Sequence, residues 1–405
     1  MNLPLYSARP DDPAFYLDPY PAYDEMRALG PAFRWEEYGL TAFAHHASVN
    51  ALLRDRRLGR EATHVMSREE AGLKPIPDHL KPFYDFEAHS MLEREPPAHT
   101  RLRTLVNRAF VSRHVERLRP RIEALANELI DGFQARGQVD LLPAFAEKIP
   151  VIVIAELLGV PVDLGDQLLD WSHKMVAMYQ FNRTRAIEDE AVRATGEFSE
   201  FIRSYVDRRR NDPRDDLITK LIEAEQKGDH LTTDELITTS VLLLNAGHEA
   251  TVHGIGNAVK ALLEAGEGGS EAFATQASAM AAADELLRFD SPLHLFTRFV
   301  LEDLEFDGVR LRRGQTVALL LGAANRDPRA FAKPDRLDFA RGGAGHVAFG
   351  AGIHFCVGAP LARLEMAAAL PVLFQRLPGL RLAGEAVYAE RYHFHGLAGL
   401  EVAWA

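Results

Sequence analysis

A capping box, Thr232-Thr-Asp-Glu235, opens a helical pattern that runs without proline to about Ala265. At 1.5 Å per residue, ~33 residues reach ~50 Å, enough to cross a whole molecule of this size. A rod of that length inside a globular chain obliges the other elements to pack around it. Near its middle lies Asn245-Ala246-Gly247-His248-Glu249-Ala250-Thr251, small and polar within an otherwise apolar face. Gly247 costs ~1 kcal/mol relative to alanine there, which predicts that something closely approaches the helix backbone.

Apolar steps of three and four recur in His114–Arg136, Glu188–Arg210 and Met366–Leu377, so helix dominates. Strand-like alternation is confined to short pieces such as Leu304–Arg312 and Gln315–Leu321. Loop chemistry gathers at Lys74–Lys81, Arg209–Arg214, Gly266–Gly269 and Arg341–Gly345, none long enough to read as an interdomain linker. No repeat of 20–50 residues is present. The expectation is a mainly α chain with small β-sheets, one domain over residues 1–405. The most apolar stretches, such as Val151–Val160 and Val241–Leu244, fall far short of the ~20 residues of a membrane span. The start, Met1-Asn-Leu-Pro-Leu-Tyr, has neither a signal-peptide core nor an anchor. A formal charge of −12 argues against nucleic-acid binding, and one cysteine, Cys356, excludes a disulfide scaffold and an all-cysteine zinc site. A soluble cytoplasmic protein is expected.

That cysteine sits in Phe349-Gly350-Ala-Gly352-Ile-His354-Phe-Cys356-Val-Gly358, directly before a helix pattern whose first turn holds Pro360. The glycines permit a tight turn with backbone N–H groups aimed at the sulfur. The positive end of the following helix is expected to lower the thiol pKa and favour thiolate. A lone cysteine is more often an inert buried hydrophobe. A thiolate among amide donors, however, suits an axial ligand of haem iron. The loop resembles the haem-binding signature of the cytochrome P450 superfamily, its soluble bacterial members in particular.

The resemblance extends over nearly the whole chain, from Asp18-Pro-Tyr-Pro21 onward. It implies the cytochrome P450 fold, a triangular helix-rich domain with a long central helix over haem b, and Cys356 as the iron ligand. It places Phe349, Gly350, Gly358 and Ala246 at the haem, and His99, Arg103, Arg298 and His354 as its propionate contacts. Glu285 and Arg288 match the family's Glu-x-x-Arg, with Arg336 as the arginine joining the pair. Glu95 stands where many relatives carry aspartate, with no evident consequence. On the central helix, Ala246 and Gly247 would leave room for dioxygen and Glu249 would supply protons through water. The usual threonine after the acid is replaced by Ala250. Thr251, one residue on and rotated by ~100°, does not simply replace it.

The resemblance further implies a monooxygenase that inserts one oxygen atom of O2 into a small to medium hydrophobic substrate. Electrons would come from NAD(P)H through a ferredoxin reductase and a ferredoxin, which would dock on Arg101, Arg108, Arg113 and Arg363. Leu242, Leu293, Leu295, Phe296, Met178 and Phe394 are candidate pocket residues, with His393 and His395 beside them. A monomer is expected. A peroxide-driven hydroxylase or a non-catalytic haem sensor would need the same cysteine loop, although Glu249 speaks against a sensor. A serine hydrolase is disfavoured because Gly-x-Ser-x-Gly is absent.

Overall fold

The computed structural model describes residues 3–108, 110, 115–226, 231–266, 272–341 and 345–405. The helices among them are α1 (Pro13–Tyr16), α2 (Tyr20–Ala28), α3 (His46–Arg54), α4 (Lys81–Glu87), α5 (Ala98–Asn107), α6 (Arg119–Phe133) and α7 (Lys148–Leu158). They continue with α8 (Gly165–Val176), α9 (Arg185–Asn211), α10 (Leu217–Gln226), α11 (Thr233–Glu264), α12 (Gln276–Phe289), α13 (Leu321–Asn325) and α14 (Ala359–Arg376). The strands are β1 (Leu5–Tyr6), β2 (Phe33–Trp35), β3 (Leu40–Phe43), β4 (Leu58–Gly59), β5 (Gln138–Asp140) and β6 (Leu295–Val300). β7 (Leu304–Phe306), β8 (Val309–Leu311), β9 (Thr316–Leu320), β10 (Arg381–Leu382) and β11 (Glu401–Ala403) complete the set.

The central helix is α11, and its capping box is formed as the sequence predicts. Thr232 Oγ1 accepts from the Glu235 amide at 3.1 Å, and Glu235 Oε2 accepts from the Thr232 amide at 2.9 Å. α7, α8, α9, α10, α12 and α14 all pack on this one rod, which explains why it is buried along most of its length. Its glycines serve that packing. A Cβ on Gly256 would lie 2.8 Å from Leu142 Cδ2, and one on Gly247 only 2.7 Å from Ile154 Cγ1 of α7. The close approach predicted at Gly247 is thus helix against helix. The expected helix of Glu188–Arg210 lies within α9, and that of Met366–Leu377 lies within α14 except for Leu377, its C-cap. Part of His114–Arg136 lies outside the described residues, and its remainder contains α6.

The β structure stands to one side. A six-stranded sheet runs β1-β2-β3-β9-β6-β4, with a three-stranded sheet β10-β11-β5 and the hairpin β7-β8. In the large sheet β6 pairs antiparallel with β9, Arg298 opposite Val317, and Leu295, Phe296 and Thr297 of β6 line the cavity described below. No helix among the described residues is long and apolar enough to cross a membrane.

One buried carboxylate joins the helical and irregular halves. Glu285 of α12 accepts from Arg288 Nε at 2.7 Å and Nη2 at 2.8 Å, and from the Asp338 amide at 2.9 Å. The second guanidinium on it is Arg341, whose Nε lies 3.1 Å from both oxygens. This corrects the expectation for Arg336. Its side chain is exposed and only its carbonyl takes part, accepting from Arg341 Nη2 at 2.9 Å and Arg288 Nη2 at 3.3 Å. The chain between Arg336 and Arg341 turns back, so the later arginine is the one brought to the carboxylate. Arg288→Ala is expected to cost ~3–5 kcal/mol by leaving Glu285 buried with one charge partner removed. Arg341→Ala should cost ~1.5–3 kcal/mol, and Arg336→Ala no more than ~0.5 kcal/mol. Denaturant melts of the three variants check the order; an Arg336→Ala loss as large as that of Arg341→Ala would reverse the assignment.

Candidate active site

The cysteine loop follows Val347, whose amide donates to Asn325 Oδ1 at 2.7 Å. Gly350 and Gly352 take φ of +69° and +73°, and a Cβ on Gly352 would run into the carbonyl oxygen of Leu53, so only glycine fits that turn. The Cys356 amide then donates to Phe349 O at 3.0 Å, and α14 begins three residues beyond the cysteine. Burial pushes the Cys356 thiol up, outweighing the N–H groups of Gly358 and Ala359 and the guanidiniums of Arg103 and Arg363 that favour its anion. The expected low thiol pKa is therefore overturned: desolvation beats the helix end. A metal at the sulfur would supply what the loop does not, since a coordinating thiol is deprotonated outright.

Cys356 borders a cavity of about 510 Å³. On the opposite wall α11 presents Ala246, Gly247, Ala250 and Thr251, and Ala246 is exposed to this space although it sits mid-helix. His99 and Arg103 of α5 and His354 of the cysteine loop stand on the rim. The His99 and His354 ring centroids are 4.4 Å apart, and burial, helped by His354 and Arg103, lowers His99 to about 4. Arg103 donates to Phe355 O at 2.6 Å, which ties α5 to the loop. Arg298 lies behind the rim, 3% exposed. Burial lowers it to about 9, and its hydrogen bond goes to the carbonyl of Thr297 at 2.8 Å. A buried guanidinium without a bidentate anion, neutral imidazoles on the rim and a thiol on the cavity wall fit a flat metal macrocycle carrying carboxylates. The residues present fit haem.

Glu95 has the consequence the sequence did not reveal. Its Oε1 pairs with His354 Nε2 at 2.9 Å and accepts from the Arg60 amide at 2.7 Å, clamping the cysteine loop to the chain after β4. Glu249, which borders the same cavity, sits among four bases. His173 Nε2 lies 3.3 Å, His253 Nε2 3.7 Å, Arg391 Nη1 3.9 Å and His248 Nε2 4.0 Å from its carboxylate. Burial pushes this acid up, but the neighbouring His253, His173 and His248 hold it down to about 2.

The cytochrome P450 family model matches residues 62–267 and 279–378. The chain belongs to the cytochrome P450 family. It is 35% identical over 381 residues to the polyketide biosynthesis cytochrome P450 PksS of Bacillus subtilis (strain 168), covering 92% of each chain. It is 37% identical to the cytochrome P450 monooxygenase PikC of Streptomyces venezuelae, over 96% of this chain and 92% of that one. The solved structure of P450BioI in complex with an acyl carrier protein ligated to hexadec-9Z-enoic acid has a TM-score of 0.90 at 32% identity. It covers 97% of this chain and all of that one. These are oxidoreductases, and the family implies haem iron.

In this P450 the candidate pocket residues Leu242, Leu293, Leu295, Phe296, Met178 and Phe394 all border the cavity with Cys356, as do Phe349, Gly350's neighbour in the loop, and Gly358. Gly350 itself faces the aromatic ring of Phe296, 3.1 Å from where a Cβ would lie. His393 lines the cavity too, its ring stacked on Tyr179 at 5.6 Å. His395 does not. It is buried beside Asp290 and His294, where Tyr20 donates to Asp290 Oδ1 at 2.7 Å and Tyr388 to Oδ2. The sequence reading missed a polar end of the cavity, where Arg60 pairs with Glu93 and where burial pushes Glu87 up to about 8. Scattered charges before α5 carry no spacing signal that would have found it. Of the arginines expected to dock a redox partner, Arg101 is held bidentate by Glu235 at 2.6 and 2.9 Å and Arg363 by Asp284 at 2.6 Å. Arg108 is exposed, and Arg113 lies outside the described residues.

Burial holds His99, His248 and His393 near 4 and His395 near 3, against about 6.5 in an unfolded chain. Between pH 4 and 6.5 the unfolded chain therefore binds more protons, so stability rises with pH and is lost as pH falls through that window. The melting temperature should be level above pH 7 and drop steadily from pH 6.5 to 4.5. A melting temperature equal at pH 5 and pH 7 contradicts the neutral buried imidazoles.

Proposed function

We propose that this chain is a haem-thiolate monooxygenase that inserts one oxygen atom of O2 into a C–H bond of a small to medium hydrophobic substrate. The observation that carries the reading is the Cys356 thiol facing, across one largely apolar cavity, the Ala246–Thr251 stretch of a buried helix. Cys356 would hold the iron of haem b, with His99, Arg103, Arg298 and His354 as donors to its carboxylates. When bound there, the haem supplies reductive activation of dioxygen, chemistry no side chain of this protein offers.

The chain's own residues do the rest. Phe296, Leu295, Leu242, Leu293, Met178 and Phe394 exclude water and take up apolar substrate surface. Arg60, Glu93 and the protonated Glu87 would anchor a polar substituent, so the preferred substrate carries at least one polar group. Glu249 and Thr251 would handle protons, with Ala250 leaving space for an ordered water or a substrate hydroxyl. The names of PksS and PikC attach those relatives to polyketide biosynthesis and to monooxygenation, which agrees with a cavity of this size. Electrons would come from NAD(P)H through a ferredoxin and its reductase, with the chain working as a cytoplasmic monomer.

The decisive measurement is the absorption of the dithionite-reduced, CO-treated protein. Thiolate ligation gives a red-shifted band, which Cys356→Ser should abolish because a neutral hydroxyl is a poor donor to iron. Retention of the band in that variant refutes the assignment. NADPH consumption with a surrogate ferredoxin and reductase then separates electron-fed turnover from a peroxide-driven reaction or a sensor, in which reductant is not consumed.

A further inference from the structure

Asp290, just past the end of α12, is a buried acid without a guanidinium or ammonium partner. It is 5% exposed, and its one ion-pair contact among the described residues is His395, whose Nε2 stands 3.4 Å from Oδ1. Its hydrogen bonds come from neutral hydroxyls, Tyr20 to Oδ1 and Tyr388 to Oδ2. Glu285, by contrast, is met by two arginines. A carboxylate taken out of water is ordinarily matched by a cation or by a coordinated metal.

The groups around Asp290 are lone-pair donors. His294, one residue before β6, and His395, near the C-terminus, are both buried, with ring centroids 4.3 Å apart. His294 Nδ1 lies 2.7 Å from the Tyr23 hydroxyl, whereas Nε2 of each histidine is buried with no hydrogen-bond partner. One ring nitrogen of each histidine and one Asp290 oxygen lie within 4.8 Å of one another. Two imidazoles and a carboxylate are a donor set of zinc, while calcium and magnesium prefer oxygen alone. Tetrahedral zinc with ligands at ~2.1 Å holds them ~3.4 Å apart, the separation already found between His395 Nε2 and Asp290 Oδ1. Bringing in His294 takes a closure of at most about 1.4 Å, the difference between 4.8 and 3.4 Å. The contacts of Tyr23 with His294 and of Tyr20 and Tyr388 with Asp290 are bonds of the kind that orient metal ligands from behind.

We infer that Asp290, His294 and His395 form a zinc-binding site behind the cavity wall, separate from the cysteine loop. Its place gives it a bracing role. His294 follows Leu293 and His395 follows Phe394, and these two neighbours pair with each other as a β-bridge and both line the cavity. An ion held by the three side chains pins the C-terminal segment, the entry to β6 and the end of α12 together. It thereby fixes two residues of the cavity wall from the side that substrate does not reach. The site does not depend on the monooxygenase reading.

The test uses the haem-loaded enzyme, treated with EDTA, dialysed against zinc chloride and then against metal-free buffer. Elemental analysis counts zinc against haem iron in wild type, His294→Gln and His395→Gln. Wild type should retain about one zinc per iron and each variant at least about tenfold less. Added zinc should raise the wild-type melting temperature and leave that of the variants unmoved. All three proteins should keep the thiolate–CO band, because none of the ligands touches the cysteine loop. Wild type retaining less than about a tenth of a zinc per iron overturns the site, as does a variant retaining as much as wild type. Should a variant fail to fold, the wild-type count and its melting response decide alone. Loss of the CO band in wild type would refute the haem reading and leave the zinc count to be judged on its own.

Discussion

A carboxylate taken out of water must have its oxygens satisfied, and in this chain the demands of Glu285 organise much of what surrounds it. Arg288, Arg341 and the Asp338 amide converge on it from one helix and from the irregular segment that leads toward the cysteine loop. Arg288 also donates to the carbonyls of Asn325 and Pro334. Asn325 in turn receives the Val347 amide at the start of the turn that carries Cys356. The placement of the sulfur is thus a downstream result of pairing one acid. Breaking such a pair costs more than forming it gains, so the arrangement guards against alternatives more than it adds stability.

Desolvation acts with one sign on the other ionisable groups around the cavity. It raises Cys356 and Glu87 and lowers His99 and Arg298, in each case disfavouring the charged form. A site that discourages every free charge in this way is completed by a group bringing its own compensating charges, a metal cation for the thiol and carboxylates for the bases. Arg60, which the charge of Glu93 raises against burial, is one exception, and Glu249 is another. Three imidazoles and a guanidinium crowd its carboxylate, and their attraction exceeds the cost of burial.

Much of this was legible along the chain. The capping box and the run of helix formers marked α11 to within a residue or two, because those signals are local. The glycines around Cys356 marked a turn for the same reason. What depended on three-dimensional return of the chain was not legible. Arg336 and Arg341 are chemically equal in sequence, and only the reversal between them decides which guanidinium meets Glu285. Gly247 was rightly read as a close approach, but its partner Ile154 is some ninety positions away. The balance between a helix end and burial at Cys356 is a matter of magnitude, which no motif encodes. His395, adjacent in sequence to the cavity residue Phe394, alternates to the opposite side and joins the Asp290 cluster.

The contact of Ile154 with Gly247 has a mechanical consequence. With no side chain between them, α7 and α11 are interlocked at the level of the cavity, so the stretch facing the sulfur behaves as a fixed anvil. Sliding or rotating that helix to admit a bulky molecule would drive backbone into an isoleucine. Admission of substrate therefore falls to other parts of the wall, among them the short 3-10 turn Ala177–Tyr179 and the bends up to Thr184. Enlarging the accepted range of guests by engineering should begin in that turn and leave the helix alone.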